Sequence, residues 1–266
     1  MSCLYKIDCG LYRFDSVRGT KIAGFISFSS SRANTNSFYR ESRKMDTMYV
    51  CSYTEFENLA HTPNGKKSEA GISIFEKVDG KYQLKKTIKG CPNASFGVIH
   101  NDFLYVAEES ILEMNWIYCY KILPDGDLEF EAKFSAQGLS CCYFEIVGDK
   151  FLVNNYWDSA LAMYKILPNG HLELISVRRI RDAIKKVSRK EHLENRHSEE
   201  HYHCICSDKN NTNVVFVPDL GLDKIHQFRI GSGEFVLEKG VSLISEVFLR
   251  IFLEFKQSIK QETFDY

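Results

Sequence analysis

The sequence has no long apolar run, no excess of one charge and no regular cysteine spacing, and each absence removes a class of protein. Its longest apolar stretch, residues 247–255, is broken by Arg250 and Glu254 and falls well short of the ~20 residues needed to span a bilayer. Lys6, Asp8, Arg13 and Asp15 interrupt the N-terminal apolar positions, so no secretory h-region is read there. With 34 basic against 35 acidic side chains, nothing favours a nucleic acid or an anionic membrane as partner. Nine scattered cysteines suit reduced thiols better than a disulfide framework. Neither a phosphate-cradling glycine loop nor a Gly-x-Ser-x-Gly nucleophile elbow is present. The expectation is a soluble, cytoplasmic protein.

What is present is a repeat. Apolar residues make up 44% of the chain and aromatics 13%, enough for a substantial core. Four segments share one grammar: an alternating strand, a turn, then a second short strand. They begin at Gly71, Trp116, Ala160 and Lys224, and their turn glycines are Gly80, Gly126, Gly170 and Gly233. Asp79-Gly80, Asp125-Gly126 and Asn169-Gly170 read as hairpin dipeptides, since Gly, Asn and Asp tolerate positive φ. Ahead of each hairpin stands a β-rich run: MYVCSYT at Met48, FLYVAEE at Phe103, FLVNNYW at Phe151 and VVFVPDL at Val214. Four strands recurring every ~40–45 residues are the signature of propeller blades. A charged insertion, residues 178–200, reads as a loop or exposed helix between blades. IAGFISF at Ile22 reads as the first blade's inner strand or as a closing strand, and the Ser/Asn-rich stretch after it as a loop. Residues 1–240 are assigned to propeller blades. In residues 241–266, Ile244, Phe248, Ile251 and Phe255 recur at helical spacing, predicting a helical tail whose apolar face covers the last blade or mediates self-association.

Particular residues carry a family likeness. Asn155-Tyr156 follows a Phe-Leu-Val strand; Arg196, His201 and His203 form an Arg-x-x-x-x-His-x-His element; and Pro218, Asp219, Leu220, Gly221 and Asp223 close the next strand. On these residues the chain, from Met48 to Gly240, resembles the lactonase-type seven-bladed β-propellers, which include 6-phosphogluconolactonases and carboxy-muconate cyclases. The resemblance implies an all-β propeller with about four of the usual seven blades present. The family's later Arg-His and Asn-Glu elements have no counterpart after Gly240, which suggests C-terminal truncation.

The resemblance further implies a hydrolase of a sugar lactone, 6-phosphogluconolactone first, needing neither metal nor organic cofactor. His203 is the expected base or orienting residue with His201 beside it, because imidazole titrates near neutrality. Arg196 is the candidate for anion contact, and Asn155, Glu108 and Asp219 are further substrate-binding candidates. Glu108 and Glu109 are read as analogous to Asn154 and Asn155. The rival reading of both histidines is hydrogen bonding at a blade junction, and that of Asp219 and Asp223 is support of their turn. In an alternating strand the histidines face away from Cys204 and Cys206, which disfavours zinc, since zinc needs about four convergent ligands. Two other functions stay open: a catalytically incomplete propeller that binds partners, and a muconate-cyclase-like isomerase.

Overall fold

The computed structural model describes residues 24–29, 47–63, 65–179, 199–208 and 210–242, with only the backbone described for 24–29 and 241–242. Those residues form four antiparallel sheets of four strands, and no helix occurs among them. The first blade holds β1 (Gly24–Ser29), β2 (Thr47–Ser52), β3 (Ile72–Val78) and β4 (Lys81–Ile88). The second holds β5 (Ala94–His100), β6 (Phe103–Glu108), β7 (Trp116–Ile122) and β8 (Leu128–Ser135). The third holds β9 (Cys141–Val147), β10 (Lys150–Asn155), β11 (Leu161–Ile166) and β12 (Leu172–Arg178). The fourth holds β13 (Cys206–Ser207), β14 (Val214–Asp219), β15 (Lys224–Arg229) and β16 (Val236–Ser242). In each sheet neighbours in sequence are neighbours in space. The inner strands β1, β5, β9 and β13 also pack in series from blade to blade, so the sheets stand around an axis as propeller blades do. β1, left open between two roles by the sequence, is the inner strand of the first blade.

Apolar side chains on both faces of each blade fill the seams. Leu104 and Val106 of β6 join Tyr49, Cys51, Ile72 and Ile74 of the first blade, while Tyr105 and Ala107 join Phe144, Phe151 and Val153 of the third. Tyr105 and Phe151 meet at 4.9 Å, and Phe96 stacks on Tyr143 at 4.6 Å. Burying each such ring contributes about 2–3 kcal/mol, so the seams dominate the stability of the fold.

The turn glycines have a second use besides positive φ. Gly126 and Gly170, at φ 78° and 79°, place their carbonyls against the preceding blade, where Tyr49 Oη donates to Gly126 O at 2.9 Å and Tyr105 Oη to Gly170 O at 2.7 Å. A Cβ at Gly126 would come within 2.3 Å of Thr47 Oγ1. Only the Asp79-Gly80 turn has positive φ at both residues. In the other two, which follow Pro124 and Pro168, the Asp or Asn keeps a negative φ and the glycine alone takes the left-handed position.

The helical tail is corrected. Val241 and Ser242, its first two residues, belong to β16 and pair with Ile225 and Lys224. The open edge of β15 offers these two residues backbone partners, so they extend the sheet, and the apolar spacing begins only at Ile244. Residues 243–266 lie outside the described residues, as do residues 30–46 and 180–198. Self-association through a tail helix is therefore unsupported. No helix among the described residues is long and apolar enough to cross a membrane.

Candidate active site at one end of the blade axis

The second strands of the four blades, β2, β6, β10 and β14, end at the same end of the molecule. Their last residues, Ser52, Glu108, Asn155 and Asp219, occupy one repeating position, each paired with the first residue of the inner strand: Gly24, Ala94, Cys141 and, through an isolated bridge, Tyr202. Glu108 thus corresponds to Asn155, one residue away from the alignment expected from sequence. The residue before the inner strand repeats as well. Asn93, Ser140 and His201 accept the backbone N–H of Glu109, Tyr156 and Leu220 at 3.0, 2.8 and 2.8 Å.

Each of these three residues also reaches back to the preceding blade. Asn93 Oδ1 accepts the N–H groups of Thr54 and Glu55. Ser140 donates to Glu109 Oε1 at 2.7 Å, and Tyr53 donates to Oε2 at 2.8 Å, so the Glu109 carboxylate joins three blades. His201 stacks on Tyr156 with centroids 4.9 Å apart, and its Nδ1 lies 3.2 Å from Tyr156 O. A carbonyl only accepts, so Nδ1 carries the proton and Nε2 is the basic nitrogen of the neutral ring.

His203 has a different environment. The inner strands of the second and third blades bulge at Ser95 and Cys142, and the fourth blade slips by the same one residue between the Tyr202–Asp219 bridge and the Cys206–Phe216 pair. A bulge breaks the two-residue alternation, and the two histidines differ in burial. His201 is buried, and His203 stays half-buried with its edge against Tyr156 at 5.8 Å.

Asp219 is fully buried. Its Oδ1 accepts the N–H groups of His201, Gly221 and Leu222 at 2.9, 3.0 and 3.2 Å, and its Oδ2 accepts from His226 Nε2 at 3.0 Å. Burial pushes the carboxyl up, but the His226 ring and these N–H groups outweigh it and hold it below its ordinary value. Asn155 is also fully buried and ties Ala136 O and Ala160 O together through Nδ2. Glu108 lies in the seam between the first and second blades, hydrogen-bonded to Tyr118 and close to Cys91, with Oε2 unpartnered. Burial raises its pKa to about 7.

The structure therefore brings His201 and His203 together around Tyr156, sets Asp219 behind them, and puts Asn155 and Glu108 into the seams. Arg196 lies outside the described residues. Sequence reasoning missed Tyr53, His61, Ser140 and Cys142 at this end. Blade-to-blade alignment is the signal that could have found three of them: it puts Tyr53 level with Tyr156, Ser140 level with His201 and Cys142 level with His203, whereas His61 lies in a connection that no repeat marks.

None of the curated proteins compared with the chain matches it. Among solved structures, it is similar to a Bacteroides fragilis protein provisionally named a 6-phosphogluconolactonase, at 19% identity and TM-score 0.56, over 77% of this chain and 56% of that one. A Bacteroides uniformis protein of the same provisional name gives 18% identity and TM-score 0.57, over 75% and 55%. The periplasmic gluconolactonase PpgL of Pseudomonas aeruginosa gives 21% identity and TM-score 0.50, over 64% and 50%. These likenesses establish the fold, and the chain spans about half the length of each structure. Residues 47–245, well over half of the 266, match the family model described as "Lactonase, 7-bladed beta-propeller", and to that lactonase family the chain belongs.

Proposed function

We propose that the axial end around Tyr156, His201 and His203 hydrolyses a sugar lactone, with 6-phosphogluconolactone the first substrate to consider. The observation that carries this reading is the pair of imidazoles bracketing one tyrosine ring, one buried and one half-buried. His203, the accessible one, takes a proton from water as the water oxygen attacks the lactone carbonyl. His201, fixed by Tyr156 O and by Asp219 at its backbone N–H, positions the Tyr156 ring against which His203 rests. Arg196 is assigned to the phosphate or the oxyanion on the family resemblance. Collapse of the tetrahedral intermediate breaks the acyl–oxygen bond and gives the hydroxy acid.

The test is the opening rate of 6-phosphogluconolactone and of δ-gluconolactone, each corrected for spontaneous hydrolysis. Acceleration of the phosphorylated lactone above the other supports the reading together with its anion contact. No acceleration of either by folded protein overturns it.

One observation favours a second reading, a propeller that binds a partner without catalysis. Residues of β6, β7, β10 and β11 that face the next blade are fully buried, among them Tyr105, Ile117, Leu152 and Met163. The same positions in the fourth blade, Phe216, Pro218, Ile225 and Gln227, stay partly exposed. Among the described residues that face is less covered than its counterparts, and a catalytically silent chain would use it to hold a partner.

A further inference from the structure

The connection from β2 to β3 is not a simple loop. It leaves the first blade at Tyr53, whose hydroxyl is fixed on Glu109 of the second blade. Asn93 of the second blade anchors its root by accepting the N–H groups of Thr54 and Glu55 at 2.9 and 2.7 Å. Farther along, Asn58 O accepts the N–H of Ile111 at 2.8 Å, again in the second blade. Leu59 is fully buried, and Ala60 joins Leu139, Tyr156 and Trp157 of the third blade in one buried cluster. Residues 53–63 thus form a strap from the first blade across the second to the third. Its Ala60 shares a buried cluster with the same tyrosine, Tyr156, that His201 and His203 bracket.

His61 follows Ala60 directly. It is half-buried and stands edge-on to Tyr53, with centroids 5.6 Å apart. Of the six described histidines, His61, His201, His203 and the Asp219-bound His226 lie toward this end, and of those four only His61 and His203 are not buried.

We propose that His61, delivered by the strap, faces the same ligand as His203 and gives a proton to the leaving ring oxygen of the lactone. The inference rests on the hydrolytic reading above. Lactone opening needs two proton transfers, one from the attacking water and one to the departing alkoxide, because an alkoxide is far too basic to leave unprotonated at neutral pH. His203 takes the first proton while the water oxygen bonds to the carbonyl carbon. As the acyl–oxygen bond breaks, its electron pair goes to the ring oxygen, which takes the proton of the His61 imidazolium. The product is the hydroxycarboxylate, and the two imidazoles return to their starting states by exchange with solvent, releasing one net proton.

Two measurements test this together. The first follows the imidazole nitrogen resonances of protein carrying 15N-histidine, assigned with His61→Gln and His203→Gln, as gluconate or 6-phosphogluconate is added. His61 and His203 are expected to shift along one saturation curve. His100, at the far end of β5, and His171, in the turn just before β12, serve as controls that stay still. The second compares pH–rate profiles for lactone opening. His61→Gln is expected to lower kcat by ~10²-fold or more, to remove the fall in rate at high pH, and to leave the low-pH limb in place. A shift of His203 alone, or an unaltered high-pH limb in His61→Gln, overturns the role of His61 and leaves the base assignment standing. Shifts of both histidines without lactone opening keep the shared site and overturn the hydrolytic reading. No shift of either overturns both.

Discussion

Glu108 offers a direct check on how the seams are built. The residue is 8% exposed, one carboxyl oxygen has no partner, and burial lifts its pKa from 4.5 to about 7. Between those two values the folded protein keeps a proton that the unfolded chain releases, so stability falls as pH rises through this window and levels off above it. At 1.36 kcal/mol per pH unit, the difference between 4.5 and about 7 corresponds to at most about 3 kcal/mol. Residual solvent contact at the strand end screens part of this, leaving roughly 1–2 kcal/mol. Glu108→Gln keeps an acceptor for the Tyr118 hydroxyl and carries no charge. Urea unfolding of both proteins at pH 5 and pH 8 should give nearly equal stability at pH 5. At pH 8 the variant should be more stable by ~1–2 kcal/mol, with m-values unchanged. A difference that does not vary with pH would refute the argument, because it would mean that Glu108 ionises in the seam as it does in water.

Other consequences are as specific. Asp219→Ala removes four hydrogen bonds and should cost about 3 kcal/mol or more at pH 7. Because the Asp219 carboxyl is held below its ordinary value, its contribution is present above that value and is lost as pH falls through the folded one. The gap between wild type and variant should therefore narrow at strongly acid pH. Gly126→Ala and Gly80→Ala share a positive φ, but a Cβ at Gly80 meets nothing within 4 Å whereas one at Gly126 strikes Thr47. Thermal unfolding should show a loss of ~1 kcal/mol at Gly80 and about 1–3 kcal/mol more at Gly126.

Much of the fold was legible because its signals are local. Turn glycines at four positions and alternating runs before them marked the hairpins, and all four glycines have positive φ. The β16 pairing was not legible, because hydrogen bonding to β15 decides residues 241 and 242 while apolar spacing registers only the helical alternative. At the site, the sequence placed two histidines side by side but could not see the one-residue slip that gives them different burial. Alternation is a property of an unbroken ladder, and Pro218, which has no N–H to donate, sits opposite that slip. The strap was invisible for a different reason. Ala60 and Tyr156 are far apart in sequence, and neither carries a motif that announces their shared cluster.

The central claim is that the half-buried His203 beside Tyr156 activates water on a lactone. Its most direct test is 6-phosphogluconolactone hydrolysis by this chain and by His203→Ala, with folding of the variant confirmed by its unfolding curve. A ~10²-fold or greater loss of kcat in a folded variant is the expected result. Hydrolysis that proceeds unchanged without the imidazole would contradict the claim.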